Sequence, residues 1–118
     1  MNEAGPQRWD IWHARFNYEG GKGYKFRPVI IVDATADETL VMMVTSAMNK
    51  LHMEHDYHLA NWKEAGLVKP SIARIDRIAA IPADYFGTAG RIGRLSESDI
   101  AAISKLLLQA AKRQGREP

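Results

Sequence analysis

An arginine and a proline open the most strongly β-forming stretch of this 118-residue chain. Arg27 and Pro28 precede Val29–Val32, four β-branched residues whose stiff side chains predict a strand buried on both faces. Because proline cannot donate a ladder hydrogen bond, Pro28 is expected at the first residue of that strand or on an edge. Arg27 then lies at the mouth of a rigid strand, where its planar guanidinium can bind a phosphate through two hydrogen bonds.

Two hydroxyl residues, Thr45 and Ser46, end the next apolar segment, Thr39–Ser46. The short polar connection between the two segments predicts an antiparallel hairpin. In such a hairpin the start of one strand and the end of the next lie together, so Arg27 and Thr45 converge on one site. Taken singly, an ordinary surface ion pair for Arg27 and plain strand propensity for Thr45 are the alternatives.

A glycine-rich loop from Asn17 to Lys25 leads into Arg27. It matches neither the dinucleotide-binding nor the P-loop pattern, so it gives little evidence for a nucleotide site. Its three glycines and two lysines instead predict a mobile basic loop that accommodates a bulky ligand.

Histidines are the other residues with catalytic or metal-binding potential. His52, His55 and His58 recur at every third position, but in a strand His55 lies on the opposite face from the other two. Since no zinc signature is present, a solvated polar face is expected in preference to a metal site. His13 is expected to be a packed or surface residue and not a base.

Alternating apolar and polar residues predict a mainly β chain with five to seven short strands. The principal segments are Arg8–Phe16, Arg27–Asp33, Thr39–Ser46, Glu54–Ala60, Ser71–Ile81 and a short strand within Thr88–Arg94. A change of parity near Arg74–Arg77 predicts a bulge.

A single helix is predicted at residues 96–114. Ser96–Asp99 resembles a capping box with Asp99 in place of glutamate, and Gly115 suits the helix end. The apolar stripe consists of Ile100, Ile103, Leu106, Leu107 and Ala110. The chain is therefore expected to form one domain, with a loose tail at 1–7, a small β-barrel at 8–95 and this helix packed against it.

The composition narrows the function only slightly. Sixteen Lys and Arg against fourteen Asp and Glu give a net charge of +2, which permits an anionic partner without requiring one. The absence of cysteine excludes disulfides and thiolate metal sites and is compatible with a reducing cytosol. No apolar run is long enough for a membrane helix, and the N-terminus lacks the apolar core of a signal peptide.

An ordered set of motifs between Trp9 and about Ala110 resembles the MazF/PemK/Kid family of type II toxin–antitoxin toxins. In chain order the motifs are Asp10-Ile11-Trp12, a glycine-containing loop, Phe26–Val32, Val44-Thr45-Ser46, Ala65–Ser71 and Ile92–Ser96. Each motif is short, and the specificity lies in their order and spacing.

The resemblance implies an SH3-like barrel that acts as a homodimer and as a metal-independent, cofactor-free endoribonuclease in the cytoplasm. Such an enzyme cuts single-stranded RNA at short sequences and leaves a 2′,3′-cyclic phosphate and a 5′-hydroxyl. The catalytic pair falls on Arg27 and Thr45, with Ser46 as a substitute, and a cognate acidic antitoxin is expected to occupy the RNA groove. The residues expected to bind RNA are Lys22, Tyr24 and Lys25.

The chemistry of RNA cleavage leaves one role unassigned. RNA supplies its own nucleophile, the 2′-hydroxyl, so the protein must orient it, stabilise charge on phosphorus and move two protons. Arg27 suits charge stabilisation, but a guanidinium stays protonated and a threonine hydroxyl is no better as a base. The general base is unidentified, and a non-catalytic SH3-like module that binds RNA or protein is the alternative function.

Overall fold

The structure is a computed structural model that describes residues 5–17, 23–35, 38–46, 55–82, 85–86 and 90–113. Within these ranges the chain forms six strands and one helix. The elements are β1 (Asp10–Asn17), β2 (Tyr24–Ala34), β3 (Glu38–Ser46), β4 (Asp56–His58), β5 (Ser71–Pro82), β6 (Arg91–Arg94) and α1 (Glu97–Arg113). The predicted succession of short strands followed by a C-terminal helix is confirmed.

The strands form one antiparallel sheet in the order β4-β5-β3-β2-β1-β6, curled into a half-barrel. The mainly β, SH3-like barrel type of fold predicted from the sequence is thereby confirmed. β2 and β3 are neighbours and pair in antiparallel register, as the hairpin prediction requires. This order places the start of β2 and the end of β3 at the same end of the sheet.

β2 is buried on both faces, as its β-branched residues predict. Val29, Ile30 and Ile31 have no exposed surface. Ile30 belongs to a first hydrophobic cluster, whereas Val29 and Ile31 belong to a second one. Consecutive residues of a strand point to opposite faces, so this strand joins the two clusters.

The prediction that β2 starts at Arg27 is wrong. The strand begins at Tyr24, because β1 continues to pair with it as far as Asn17. Pro28 therefore lies inside the strand, opposite His13 of β1. The ladder between β2 and β3 stops one residue later, so Pro28 lies where β2 is an edge on its β3 side, a position that proline tolerates.

The predicted bulge in β5 is confirmed. Met42 of β3 pairs with Ile78, but the next residue, Met43, pairs with Arg74. The residues between these two pairs, Ile75–Arg77, have no partner on β3 and bend β5 away from it.

The helix α1 covers the first cluster. Its predicted stripe packs as expected, with Ile103 and Ala110 buried and the others partly buried against the cluster: Ile100, Leu106 and Leu107. Among the described residues no helix has the length and apolar character needed to cross a membrane.

The capping box that was predicted for α1 forms only in part. The Ser96 hydroxyl accepts a hydrogen bond from the Asp99 backbone N–H at 3.2 Å, which caps the first turn. The Asp99 carboxylate does not complete the box. It is fully buried and accepts hydrogen bonds from the chain around β4.

Candidate functional site

A groove opens where β2 and β3 separate. Their ladder ends at the pair of Val29 and Met43, beyond which β2 is paired only with β1 and β3 only with β5. Extending the β2–β3 register by two residues would set Arg27 opposite Thr45. Each of these residues is held from its outer side by a regular ladder, so both are positioned by rigid structure at the opening.

The groove has a volume of about 580 Å³. Strands β1, β2, β3, β5 and β6 contribute to its lining, together with the segment that precedes β5. The lining residues are His13, Lys25, Phe26, Arg27, Pro28, Val44, Thr45, Ser46, Gly66, Leu67, Val68, Lys69, Ser71 and Ile92.

Positive charge dominates the groove. Three exposed cations line it, Lys25 and Arg27 from β2 and Lys69 from the opposite wall. No aspartate or glutamate occurs among the lining residues in the described part of the chain. Among the described lining residues, an anion in this groove therefore meets several positive groups and no carboxylate.

All three predicted catalytic residues line the groove. Arg27 is exposed, whereas Thr45 and Ser46 are half-buried. Ser46 pairs with Ser71 of β5, whose hydroxyl donates to the Lys69 carbonyl at 2.8 Å. The groove thus places hydroxyl groups beside a guanidinium, the combination expected from the hairpin.

The predicted RNA-binding residues do not all line the groove. Lys25 lines the groove, whereas Tyr24 does not, and Lys22 lies outside the described residues. Tyr24 is 54% exposed, and its ring meets the edge of Phe26 with the ring centroids 5.9 Å apart. Since Phe26 lines the groove, Tyr24 extends the apolar surface beyond the groove rim.

The Arg15 side chain contacts the Tyr24 ring of this aromatic pair. The Arg15 guanidinium lies 5.2 Å from the centroid of the Tyr24 ring and 4.6 Å from that of Tyr85. Its Nε is buried without a hydrogen-bond partner among the described residues, and both ring distances are those of cation–π contacts.

The wall opposite β2 contains a turn ended by glycine. Gly66 N–H donates to the Lys63 carbonyl at 3.0 Å and Leu67 N–H to the Trp62 carbonyl at 3.1 Å, the pattern of a Schellman motif. Gly66 has a φ of 102°, and a Cβ there would come within 2.7 Å of the Ile92 carbonyl oxygen. Glycine therefore lets the turn rest directly on β6.

A buried carboxylate fixes that turn to the helix. Asp99 accepts hydrogen bonds from the Tyr57 hydroxyl at 2.6 Å, the Ala60 N–H at 3.0 Å and the Asn61 N–H at 2.9 Å. Burial, together with this hydrogen bond and the negative charge of Asp99, raises the pKa of Tyr57 to about 12. The start of α1 thereby positions the chain that leads into the groove wall.

A second carboxylate, Asp10, organises a separate pocket of about 370 Å³. Asp10 is buried and accepts hydrogen bonds from the Gln7 N–H at 3.1 Å and the Trp12 Nε1 at 3.2 Å. Arg91 and Arg94, each about half exposed, lie 3.4 and 3.5 Å from its Oδ1. Here the arginines neutralise a buried charge.

The groove also contains residues that the sequence analysis did not assign to a site. His13 was expected to be packed or at the surface, and Phe26, Val68 and Lys69 were noted only within motifs. In the β1–β2 ladder His13 pairs with Pro28, the neighbour of Arg27. No local signal predicts the approach of the turn to β6.

The histidines of the predicted polar face do not form a described metal site. His55 Nδ1 lies 2.9 Å from an oxygen of Asp76, in the β5 bulge, and His58 is exposed on β4. His52 lies outside the described residues. In the ranges that the structure covers, no group of three or more histidine or acidic residues is arranged to hold a metal ion.

Comparison of the sequence with protein families gives a match to a family of toxins. Residues 7–110 match the sequence model of the PemK-like, MazF-like toxins of type II toxin–antitoxin systems. No curated protein matches the chain significantly.

Comparison with solved structures gives matches over nearly the whole chain. The Mycobacterium tuberculosis toxin MazF-mt6 is 22% identical with a TM-score of 0.65, over 87% of this chain and 96% of that one. A mycobacterial endoribonuclease is 14% identical with a TM-score of 0.67, over 95% and 96%. A MazE–MazF structure from Deinococcus radiodurans is 13% identical with a TM-score of 0.67, over 98% and 100%. At these identities the likeness is one of fold.

Proposed function

Because the chain belongs to the family of PemK-like, MazF-like toxins of type II toxin–antitoxin systems, we propose that it is a metal-independent endoribonuclease. It cleaves single-stranded RNA, including mRNA in the cytoplasm, and thereby inhibits translation and growth. One observation carries the proposal: Arg27 and Thr45 line the same groove, whose described lining holds three cations and no carboxylate.

The proposed reaction is an attack of the 2′-hydroxyl on the adjacent phosphorus. The P–O5′ bond breaks, and the products are a 2′,3′-cyclic phosphate and a 5′-hydroxyl. Arg27 binds two phosphate oxygens and stabilises the extra negative charge of the transition state. Thr45 donates a hydrogen bond to the same phosphate, and Ser46, the next residue in the groove, takes that role if threonine does not.

RNA binding rests on the basic residues and the aromatic surface beside them. Lys25, and Lys22 in the preceding loop, contact phosphates, and the exposed ring of Tyr24 stacks on a base. Two contacts support this role because they hold the Tyr24 ring in place. One is the edge-to-face contact with Phe26, and the other is the contact with the Arg15 guanidinium.

We further propose that the toxin is a homodimer and that an acidic antitoxin occupies its groove. The lining combines cations with exposed apolar side chains, Phe26 and the 89% exposed Val68. Such a surface suits a segment that carries both carboxylates and apolar residues. The similarity in fold to a MazE–MazF structure supports the same arrangement.

The test is cleavage of a mixed-sequence RNA in the presence of EDTA, paired with growth of bacteria that express the protein. Wild type is expected to cut the RNA and arrest growth, and Arg27→Ala is expected to do neither. Arg77→Ala, which removes an exposed arginine from the β5 bulge, is the matched control and keeps both effects. Equal growth arrest by wild type and the Arg27→Ala protein, or no arrest by wild type, would count against the proposal.

A binding module without catalysis is the competing function. It predicts that wild type retains the RNA in a filter-binding assay and leaves it intact in EDTA. In that outcome Arg27→Ala would change the affinity for RNA and not the length of the RNA.

A further inference from the structure

Cleavage by the 2′-hydroxyl needs a group that removes its proton. The groups assigned to the proposed reaction do not supply one. Arginine and lysine are protonated at neutral pH and act as donors, and the hydroxyls of Thr45 and Ser46 are far too weakly basic. A general base must therefore come from elsewhere in the groove.

The lining of the groove narrows the choice to one described residue. Its described lining includes no aspartate or glutamate, and the charged groups in that lining are Lys25 and Arg27 of β2 and Lys69 of the opposite wall. β3, β5 and β6 contribute lining residues that do not titrate near neutral pH: Val44, Thr45, Ser46, Ser71 and Ile92. His13 of β1 carries the one imidazole among the described lining residues, and imidazole is the side chain that most often acts as a general base.

His13 also occupies a suitable position. It lies opposite Pro28, the residue next to Arg27, in the β1–β2 ladder. Its backbone N–H donates to the Gly90 carbonyl at 3.0 Å, so β1 is held on both sides at this point. The half-buried His13 thus lies on a strand that is paired on both sides, and it lines the same groove as the proposed phosphate-binding Arg27.

We propose that His13 is the general base of the proposed ribonuclease, an assignment that rests on that function. The neutral imidazole takes the proton of the 2′-hydroxyl as the 2′-oxygen forms its bond to phosphorus. The P–O5′ bond breaks, and the 5′-oxygen takes a proton from solvent. The imidazolium then returns its proton to solvent, so the enzyme ends in its starting state.

The other described histidines do not compete for this role. His55 is paired with Asp76 in the β5 bulge, and His58 is exposed on β4. Neither lines the groove. His58 is therefore a suitable site for a matched control, since the same substitution there changes a histidine outside the proposed catalytic machinery.

The experiment measures kcat/KM for RNA cleavage in EDTA from pH 5 to pH 9 for wild type, His13→Gln and His58→Gln. Wild type is expected to show a rate that rises with pH through the titration of a histidine and then levels. His13→Gln is expected to cleave about 100-fold more slowly or worse and to lose this rise, because glutamine does not titrate. His58→Gln is expected to keep both the rate and the rise.

A second variant separates catalysis from folding. His13→Ala leaves space for a small base, so added imidazole is expected to raise its rate at least tenfold, in proportion to the neutral fraction of imidazole. Thermal denaturation of both variants checks that they fold. A merely structural role for His13 would give no response to imidazole and an unaltered pH profile.

The possible failures are distinguishable. If wild type cleaves RNA and His13→Gln keeps its rate and its pH profile, His13 is not the base and the ribonuclease proposal stands. If the variant loses activity but keeps the rise with pH, or if imidazole does not restore His13→Ala, the assignment is also overturned. If wild type leaves RNA intact, the proposed function fails and this assignment fails with it.

Discussion

Two arginine-containing regions of this protein differ in the groups that surround the positive charge. At the Asp10 pocket, Arg91 and Arg94 approach a buried carboxylate and compensate it. In the groove, Arg27 shares its surroundings with other cations, and no ion pair joins it to a described carboxylate. The comparison teaches that an arginine indicates an anion site only when its surroundings leave its charge uncompensated.

The largest expected effect separates these regions directly. Arg27→Ala is expected to lower kcat/KM for RNA about 10³-fold, close to 4 kcal/mol of transition-state stabilisation, with little change in melting temperature. Arg91→Ala is expected to leave cleavage within about twofold and to cost about 1 kcal/mol of unfolding free energy. Steady-state kinetics of both variants measure kcat/KM, and urea denaturation measures their free energy of unfolding. Loss of activity in the Arg91 variant with its fold intact would remove the distinction between the two regions.

The second prediction concerns the other buried carboxylate. Asp99→Ala is expected to lower the free energy of unfolding by about 3 kcal/mol, because it leaves the Ala60 and Asn61 N–H groups and the Tyr57 hydroxyl without their acceptor. Urea denaturation measures the change. Glu97→Ala, at an exposed position in the same helical turn, is the control and should cost less than about 1 kcal/mol. Equal effects of the two substitutions would show that only the helix dipole is involved.

A smaller effect is expected within the groove itself. Thr45→Val keeps the β-branched shape and removes the hydroxyl, so cleavage should fall about 10- to 50-fold while stability is preserved. Thr39→Val makes the same change elsewhere on β3 and should leave the cleavage rate unaltered. If Thr45→Val is fully active and Thr45→Val with Ser46→Ala is not, then Ser46 supplies the hydrogen bond.

The sequence was most informative where the structure is local or follows from hairpin register. Val29–Val32 identified the central strand, and the two ends of one hairpin correctly brought Arg27 and Thr45 to a common groove. The parity change on β5 also located its bulge, although the start of β2 was missed because β1 prolongs that strand. These are consequences of side-chain alternation and pairing between sequence neighbours.

What the sequence did not reveal depends on contacts between distant segments. Asp99 looked like part of a capping box, yet its acceptors serve a hydroxyl and two amides 38–42 residues earlier in the chain. The approach of Gly66 to Ile92, which builds one wall of the groove, likewise joins a turn to a strand far along the chain. The location of His13 in the same groove as Arg27 also depends on this wall. The spacing of residues along the chain does not predict such contacts.

The smallest effect tests the carboxylate outside the groove through its pH dependence. The pKa of Tyr57 is raised to about 12, while a tyrosine of the unfolded chain titrates near pH 10. The folded state therefore favours the protonated hydroxyl, and this contribution to stability is complete below about pH 10 and is lost as pH rises towards 12. Tyr57→Phe has no such group, so its deficit in unfolding free energy relative to wild type should be constant from pH 8 to 10 and shrink above that. Urea denaturation of both proteins at each pH measures the deficit. A deficit that stays constant up to pH 12 would mean that Asp99 does not hold the Tyr57 proton, and that the backbone amides of Ala60 and Asn61 alone tie the groove wall to the helix.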